Sequence, residues 1–490
     1  MKKLLVLFFF AISSVQAGAT ISQIRWGSAG DPLHGLTITW SNNGSADSVK
    51  WGYTTAYEKG HFPGTKRAGY STTNSFFKYQ FPTLTASTTL YYSLYDSKAK
   101  TWGSQLTFAT APPVTGSVFS FCAMGDCRDY PATLTTVSNL ASARKPTFTL
   151  FNGDLTVDGN SSSEYTTFFT AASNFLQNNL VYHVEGNHDA ADSSMFSNLW
   201  DIPRVNNQNL YYSYRFGNTI FISLNSNDTA NQIQFSWLKS TLASAAADPT
   251  ITWKILSFHH AFFNSGTHTG DMDTERTTWW KAFDDYGVDL VITGHDHNYQ
   301  RTYPINLNAS PVGTPVANYG STTGKGRLQI ISGGGGAGLY SQTPGSADTW
   351  ATDIFNETYN YVYCNVDGCK ITINAYDQTN ALIDSLTLNK NGTSVCFVTD
   401  APALNASPKL LTVSPNPTDS NVMLHYSSDL TGEAVIKIID ITGKEILSEK
   451  VTKPAKDLLV PYDLSHFAKG VYNISLTIAG VRENTTLVLK

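Results

Sequence analysis

The chain has 490 residues, 41% hydrophobic and 14% charged, with a net charge of -5. That length exceeds one ordinary domain and is enough for three, while the mildly acidic balance and the lack of a long basic run argue against a nucleic-acid scaffold or a cationic membrane patch. Five cysteines with no Cys-x-x-Cys pair argue against a thiolate zinc site.

Residues 1–19 read as an export signal. Lys2 and Lys3 precede the apolar run Leu4–Ile12, and small residues follow, so cleavage is expected after Ala17 or Ala19. The run is too short to span a bilayer, and no later segment is long and apolar enough to do so. Export permits disulfides. Cys364 and Cys369 flank an Asp367-Gly368 turn and either bridge or stay free; the odd count leaves at least one thiol without an intrachain partner.

From residue 20 to 113 the chain shows short alternating stretches separated by turn residues, such as Leu36–Trp40, Ser48–Gly52 and Thr89–Leu94. This pattern predicts a small antiparallel β-sandwich. Its two histidines, His34 and His61, read as ordinary surface or turn residues.

Between residues 114 and 390 the pattern changes to α/β. Apolar runs at Val118–Ala123, Thr147–Phe151, Val181–Val184, Thr219–Leu224, Trp253–Phe258 and Val288–Thr293 lack polar alternation, which predicts strands covered on both faces. Helices are expected at Ala132–Ala143, Ser163–Leu176, Gln232–Ala245 and Thr274–Tyr286. Another strand runs into Gly333–Gly336. No Gly-Lys-Ser/Thr follows these glycines, so a phosphate loop is rejected in favour of a flexible loop beside the site. A polar linker at 391–409 leads to a third, all-β region at 410–490.

Five polar clusters lie just past the carboxyl ends of these strands. They are Gly125-Asp126, Gly153-Asp154, Asn187-His188, His259-His260 and Gly294-His295-Asp296-His297. In an open parallel sheet such ends share one rim, where ligands bind. Seven of the 11 histidines fall between His183 and His297, which surface usage does not explain. Carboxylate, amide oxygen and imidazole together suit Zn, Mn or Fe, and the number of donors suits two ions. Such a pair makes a bridging water acidic and neutralises charge on the attacking and leaving oxygens of a phosphate ester.

In this order, GD, GD, GNHD, H and GHDH, the five blocks resemble the calcineurin-like metallophosphoesterases, in their purple acid phosphatase branch, over roughly Ser117–Leu388. The resemblance implies a central α/β metallophosphoesterase sandwich and two metal ions. Asp126, Asp154 and His297 would bind the first ion, with Asp154 bridging, and Asn187, His259 and His295 the second. His188 resembles the histidine that contacts phosphate and protonates the leaving group, and His268 another substrate-side histidine. The N-terminal sandwich resembles the fibronectin-like domain that precedes secreted members. In the C-terminal region Val413–Pro417, Ile439–Lys444 and Gly470–Tyr472 resemble the sorting domain of the type IX secretion system; a generic adhesive β-sandwich is the alternative.

Two positions depart from the family. The purple branch has a tyrosine three residues after the bridging aspartate, where this chain has Val157; the wider family often has a histidine two residues after the first, where it has Arg128. A colourless enzyme is expected. Arg128 faces either the substrate phosphate or a surface ion pair. His183 reads as a core residue, and His260 either supports the neighbouring ligand or packs in the loop. Asp189 and Asp296 are expected to orient neighbouring imidazoles. Tyr299 and Arg301 wall the pocket or simply pack.

The expectation is a protein exported to the cell surface or medium by the type IX machinery, hydrolysing small phosphomonoesters. The alternatives are a phosphodiesterase on the same centre, or a surface binding protein with a decayed site.

Overall fold

Short strands separated by turns fill residues 22–109 and pair antiparallel in two sheets. One runs Ser22–Ser28, Leu36–Asn42, Ser75–Gln80, Thr65–Arg67; the other runs Gly60–Pro63, Ser48–Gly52, Thr89–Asp96, Thr101–Trp102, with Leu106–Ala109 also on Thr89–Asp96. Trp26, Trp40, Trp51, Tyr92 and Phe108 are buried among them. The structure, a computed structural model, describes residues 21–490 apart from 45–46, 71–74, 114–117, 206–209, 311, 321–324, 391–410, 429, 441–443 and 480. The expected export signal and linker lie outside the described residues.

The chain divides into two compact units, Met1–Ala401 and Pro402–Lys490. Within the first, the N-terminal sheets and the α/β region share one hydrophobic core. The Ser22–Ser28 strand makes the junction. The Trp26 indole donates to the Gln177 carbonyl at 2.9 Å, and Arg25 donates to the Leu199 carbonyl at 3.1 Å. The Arg25 guanidinium lies over the rings of Phe76, Phe169 and Trp200.

The α/β region holds two facing sheets, as the sandwich implied by the resemblance requires, rather than one open sheet carrying all the strand ends. The first runs Val181–His183, Phe148–Phe151, Val118–Met124, Asn360–Asp367, Lys370–Asp377, Leu382–Asn389, with its first three strands parallel. The second runs Tyr212–Phe216, Thr219–Ser223, Trp253–Ser257, Leu290–Thr293, Leu328–Ser332, Tyr299–Thr302, Thr352–Asn356, parallel from Thr219–Ser223 to Leu328–Ser332. Phe121 and Phe148 of the first sheet meet Phe221 of the second at 5.3 and 5.0 Å. Strands buried on both faces need the apolar runs seen in the sequence, and the facing sheets bring two sets of carboxyl ends to one rim.

Helices Pro131–Ala143 and Gln232–Ala247 form as expected; Asn231 caps the second by accepting from the N–H groups of Ile233 and Gln234. The expected Ser163–Leu176 helix is broken at Ala172 into Ser162–Ala171 and Ser173–Asn178. The expected Thr274–Tyr286 helix passes through a π-helical stretch at Arg276–Trp280, which buries adjacent Trp279 and Trp280. Cys364 does not bridge to Cys369: it is free and buried, while Cys369 is disulfide-bonded. The strand register explains this. Cys364 pairs with Ile373 inside the sheet, whereas Cys369 lies beyond the hairpin end at Asp367–Lys370. No helix among the described residues is long and apolar enough to cross a membrane.

The second unit is all-β. Leu411–Ser414, Asn421–Ser427 and Asp457–Asp463 form one sheet, and Glu445–Lys453, Gly432–Asp440, Gly470–Ile478 and Val481–Leu489 another. Leu424, Tyr426, Ile436, Ile438, Ile474, Leu476 and Leu487 fill the space between.

Candidate metal centre

Six side chains from both sheets meet at the shared rim. Asp126, Asp154 and His297 present donor atoms that all lie within 4.8 Å of one another. His259 Nε2 lies 3.4 Å from Asp154 Oδ1, 2.9 Å from Asn187 Oδ1 and 3.2 Å from His295 Nδ1. All the expected ligand residues are thus brought together, with Asp154 common to both groups.

Hydrogen bonds on the far side of each ring fix the imidazoles. His259 Nδ1 donates to the Asn152 carbonyl at 2.7 Å, His297 Nδ1 to the Gly338 carbonyl at 2.6 Å, and His295 Nε2 to Asp271 at 3.0 Å. Each inward nitrogen therefore carries a lone pair. Burial keeps the rings neutral: it lowers His295 and His297 to about 4 and His259 well below its usual value. Burial, with Asp154 beside it, pushes the Asp126 carboxyl well above the usual range. Converging lone pairs and carboxylates fit a cation, and the N/O donor set fits a divalent or trivalent one.

The backbone at three of these residues is strained into the left-handed region, with φ of 56° at Asp126, 56° at Asp154 and 72° at His295. Local contacts hold it there. The His295 N–H donates to both Asp126 oxygens at 3.0 and 2.9 Å. Contrary to the expectation from the sequence, Asp189 does not orient an imidazole; its carboxylate accepts from the N–H groups of Asp154, Gly186 and Leu155 at 2.8, 3.0 and 3.0 Å. A buried acid here serves the turn that carries Asp154. Asp296 does meet the expectation, accepting from His268 Nδ1 at 3.0 Å.

The glycine run Gly333–Gly336 lies beside the site but is a packed strap, not a flexible loop. A Cβ at Gly333 would lie 2.2 Å from the Asp296 carbonyl, and one at Gly335 2.3 Å from the Gly125 carbonyl. Gly335 and Ala337 donate to the carbonyls of Gly125 and Asp126. Glycine is required because backbone lies on backbone.

His188 and His268 stand at the open side, with side chains 29% and 27% exposed. His188 Nδ1 donates to the Val157 carbonyl at 2.6 Å, and its Nε2 lies 4.0 Å from Asp154 Oδ2. The His268 ring lies against that of His295, tilted by 31° with centroids 3.9 Å apart. Arg128 points into the cluster, its Nε 3.5 Å from Asp154 Oδ2 and a terminal nitrogen 3.2 Å from His297 Nε2, and it also pairs with Asp129 at 3.4 Å.

Of the remaining residues singled out, His260 hydrogen-bonds Ser226, and its ring lies 4.3 Å from that of His295. His183 is stacked between Phe151 and Trp200, with neither ring nitrogen hydrogen-bonded among the described residues. Tyr299 and Arg301 pack on Asp384 and do not wall the pocket.

Residues 119–299 match the calcineurin-like phosphoesterase family, and residues 412–490 a secretion system C-terminal sorting domain. This chain carries a calcineurin-like phosphoesterase domain. The chain is 26% identical over 359 residues to purple acid phosphatase 18 of Arabidopsis thaliana, 68% of this chain and 76% of that protein. An uncharacterized protein of Mycobacterium tuberculosis is 30% identical over 148 residues, 26% of this chain and only 28% of its own length. A purple acid phosphatase from yellow lupin seeds shares the fold with a TM-score of 0.62 at 18% identity, over 76% of this chain and 74% of that one.

Several residues of the candidate site were not legible in the sequence. Asp271 fixes His295. Asn152 joins the two sheets, its side chain donating to the Thr293 carbonyl at 3.2 Å and accepting from Ser257 at 2.9 Å. Tyr340 stacks on His297 at 4.0 Å. Position just before Gly153 was the one available signal for Asn152; Asp271 and Tyr340 sit in loops with no motif.

Proposed function

We propose that this chain is a metal-dependent phosphatase that hydrolyses phosphomonoesters at a two-metal centre. The observation that carries the reading is the convergence of His259 Nε2, His295 Nδ1, Asn187 Oδ1 and Asp154 Oδ1, all acceptors, beside the Asp126, Asp154 and His297 set. Asp126, Asp154 and His297 would hold one ion, and Asp154, Asn187, His259 and His295 the other. Bound there, the ions would acidify water and neutralise charge on the phosphoryl oxygens.

The chain's own groups do the rest. Arg128 lies between the Asp154 and His297 donors and supplies a fixed cation for a phosphoryl oxygen. His188 is anchored through Nδ1 on the Val157 carbonyl, so its Nε2 would give a proton to the leaving oxygen from the doubly protonated ring. His268, backed by Asp296, steadies the phosphoryl group from the other side. Asn187 is neutral, so it adds a donor without repelling the anionic substrate. We further propose an N-terminal fibronectin-like domain and delivery to the cell surface or medium by the type IX machinery through the sorting domain.

The test is hydrolysis of an aryl phosphate by the full chain as purified, after chelation, and after return of Zn, Mn or Fe, with Asn187→Ala alongside. Activity lost on chelation, restored by one metal and at least ~100-fold lower in the variant supports the reading. Hydrolysis of diesters alone would favour a phosphodiesterase, and no bound ion with no hydrolysis a binding protein with a decayed site.

A further inference from the structure

A pocket of about 260 Å³ opens beside the metal-ligand cluster. Its walls are the two segments that leave the cluster, 127–129 after Asp126 and 155–157 after Asp154, and the helices Pro131–Ala143 and Ser162–Ala171. Leu134, Leu155, Val157, Phe168 and Ala171 make its surface mainly apolar. None of them is needed to hold a metal.

Two residues link this pocket to the candidate centre. Arg128 lines it and also reaches Asp154 Oδ2 and His297 Nε2. Val157 forms its lip, with a side chain 46% exposed, while its carbonyl accepts from His188 Nδ1. The lip is pinned from behind, because Glu164 accepts from the N–H groups of Val157 and Asp158 at 2.5 and 3.0 Å. A phosphoryl group held between Arg128 and His188 would therefore have this mouth beside it.

We propose that the pocket receives the apolar part of the leaving group, so that the preferred substrates are phosphomonoesters of aryl or aralkyl alcohols; this rests on the phosphatase reading above. In the reaction the ester P–O bond breaks and the oxygen of water bonds to phosphorus. One proton of that water is balanced by the proton placed on the departing oxygen, so the product left in the pocket is a neutral alcohol. Burying an apolar group there gains roughly 25 cal/mol per Å², whereas a sugar or glycerol hydroxyl would lose water without gaining partners. Asp129 and Glu164, also at its surface, repel a second phosphate or a carboxylate on the leaving group.

The experiment compares kcat/KM for 2-phenylethyl phosphate and ethyl phosphate, whose leaving alkoxides are of similar basicity. The full chain, Ala171→Phe and Thr167→Trp are assayed; Thr167 is an exposed helix position facing the same space, so its variant guards against a folding failure. The wild-type ratio is expected to favour the phenylethyl ester by about tenfold or more, and the filled variants to erase most of that preference. Binding of 2-phenylethanol itself, read by saturation-transfer NMR, is expected for the wild type and lost in Ala171→Phe. Hydrolysis of both esters at a ratio that neither variant changes overturns the pocket assignment and leaves the phosphatase reading intact. Alcohol binding lost in Ala171→Phe, with no ester hydrolysed under any metal, overturns the phosphatase reading and with it the leaving-group role.

Discussion

His259 Nε2 and His295 Nδ1 lie 3.2 Å apart, and neither can donate to the other. Each ring spends its proton elsewhere, on the Asn152 carbonyl and on Asp271. Two facing lone pairs are repulsive unless a cation lies between them. The fold holds the pair by anchoring both rings from behind, and this defines the first consequence.

Metal removal should cost stability as well as any activity. At a free metal concentration about 100 times its Kd, binding adds roughly 2.7 kcal/mol. Scanning calorimetry should show the phosphoesterase domain melting several degrees lower after chelation, with the shift abolished in His259→Ala. With Val157 where the purple branch has its tyrosine, no tyrosinate-to-iron charge transfer is available at that position, and the metal-loaded protein should be colourless in the visible range.

Asp271 is a positioning residue. It accepts from His295 Nε2 at 3.0 Å, and without it that ring loses its fixed tautomer. Asp271→Ala should weaken metal binding by about 10–100-fold, read by competition with a fluorescent chelator. Asp271→Asn, which keeps an acceptor oxygen, should recover part of the loss.

Asp189 holds a backbone turn. Its carboxylate satisfies three buried N–H groups, two of them flanking the strained Asp154 position. Asp189→Ala would strand them at about 1–3 kcal/mol each before relaxation. Urea unfolding should report a loss of at least ~3 kcal/mol, with metal affinity falling in parallel.

Acid should loosen the junction between the N-terminal sheets and the phosphoesterase domain. Burial acts to raise the Asp201 carboxyl, but Arg67 and Lys78, paired with it at 2.6 and 3.0 Å, outweigh this and hold it below the usual value. A depressed carboxylate stabilises the fold above its unfolded pKa, near 4, and that stability disappears as pH falls through the lower folded value. Thermal melts between pH 7 and 2.5 should show a drop below pH 4 that is smaller in Asp201→Asn. That variant should already be less stable at pH 7 by about 3 kcal/mol, because Arg67 and Arg25 lose their counter-charge.

The sequence by itself determined the parts list. Apolar runs such as Phe148–Phe151 and Leu290–Thr293 marked buried strands, because both faces of such strands must be covered. The polar pairs at their carboxyl ends marked the metal-ligand candidates, because backbone direction places them beyond the sheet. Only the tertiary structure decided how those ends meet. Period-2 patterning does not say whether parallel strands join one sheet or two, and here Asn152 and three phenylalanines clamp two sheets face to face. The fixing groups were equally hidden: Asp271, the Gly338 carbonyl and Asp189 act across long loops, and no local spacing encodes such contacts. Gly333–Gly336 show the same limit. Composition suggested a loose loop, but glycine was selected by the close approach of the Gly125 and Asp296 backbones, a constraint that exists only once the chain has folded.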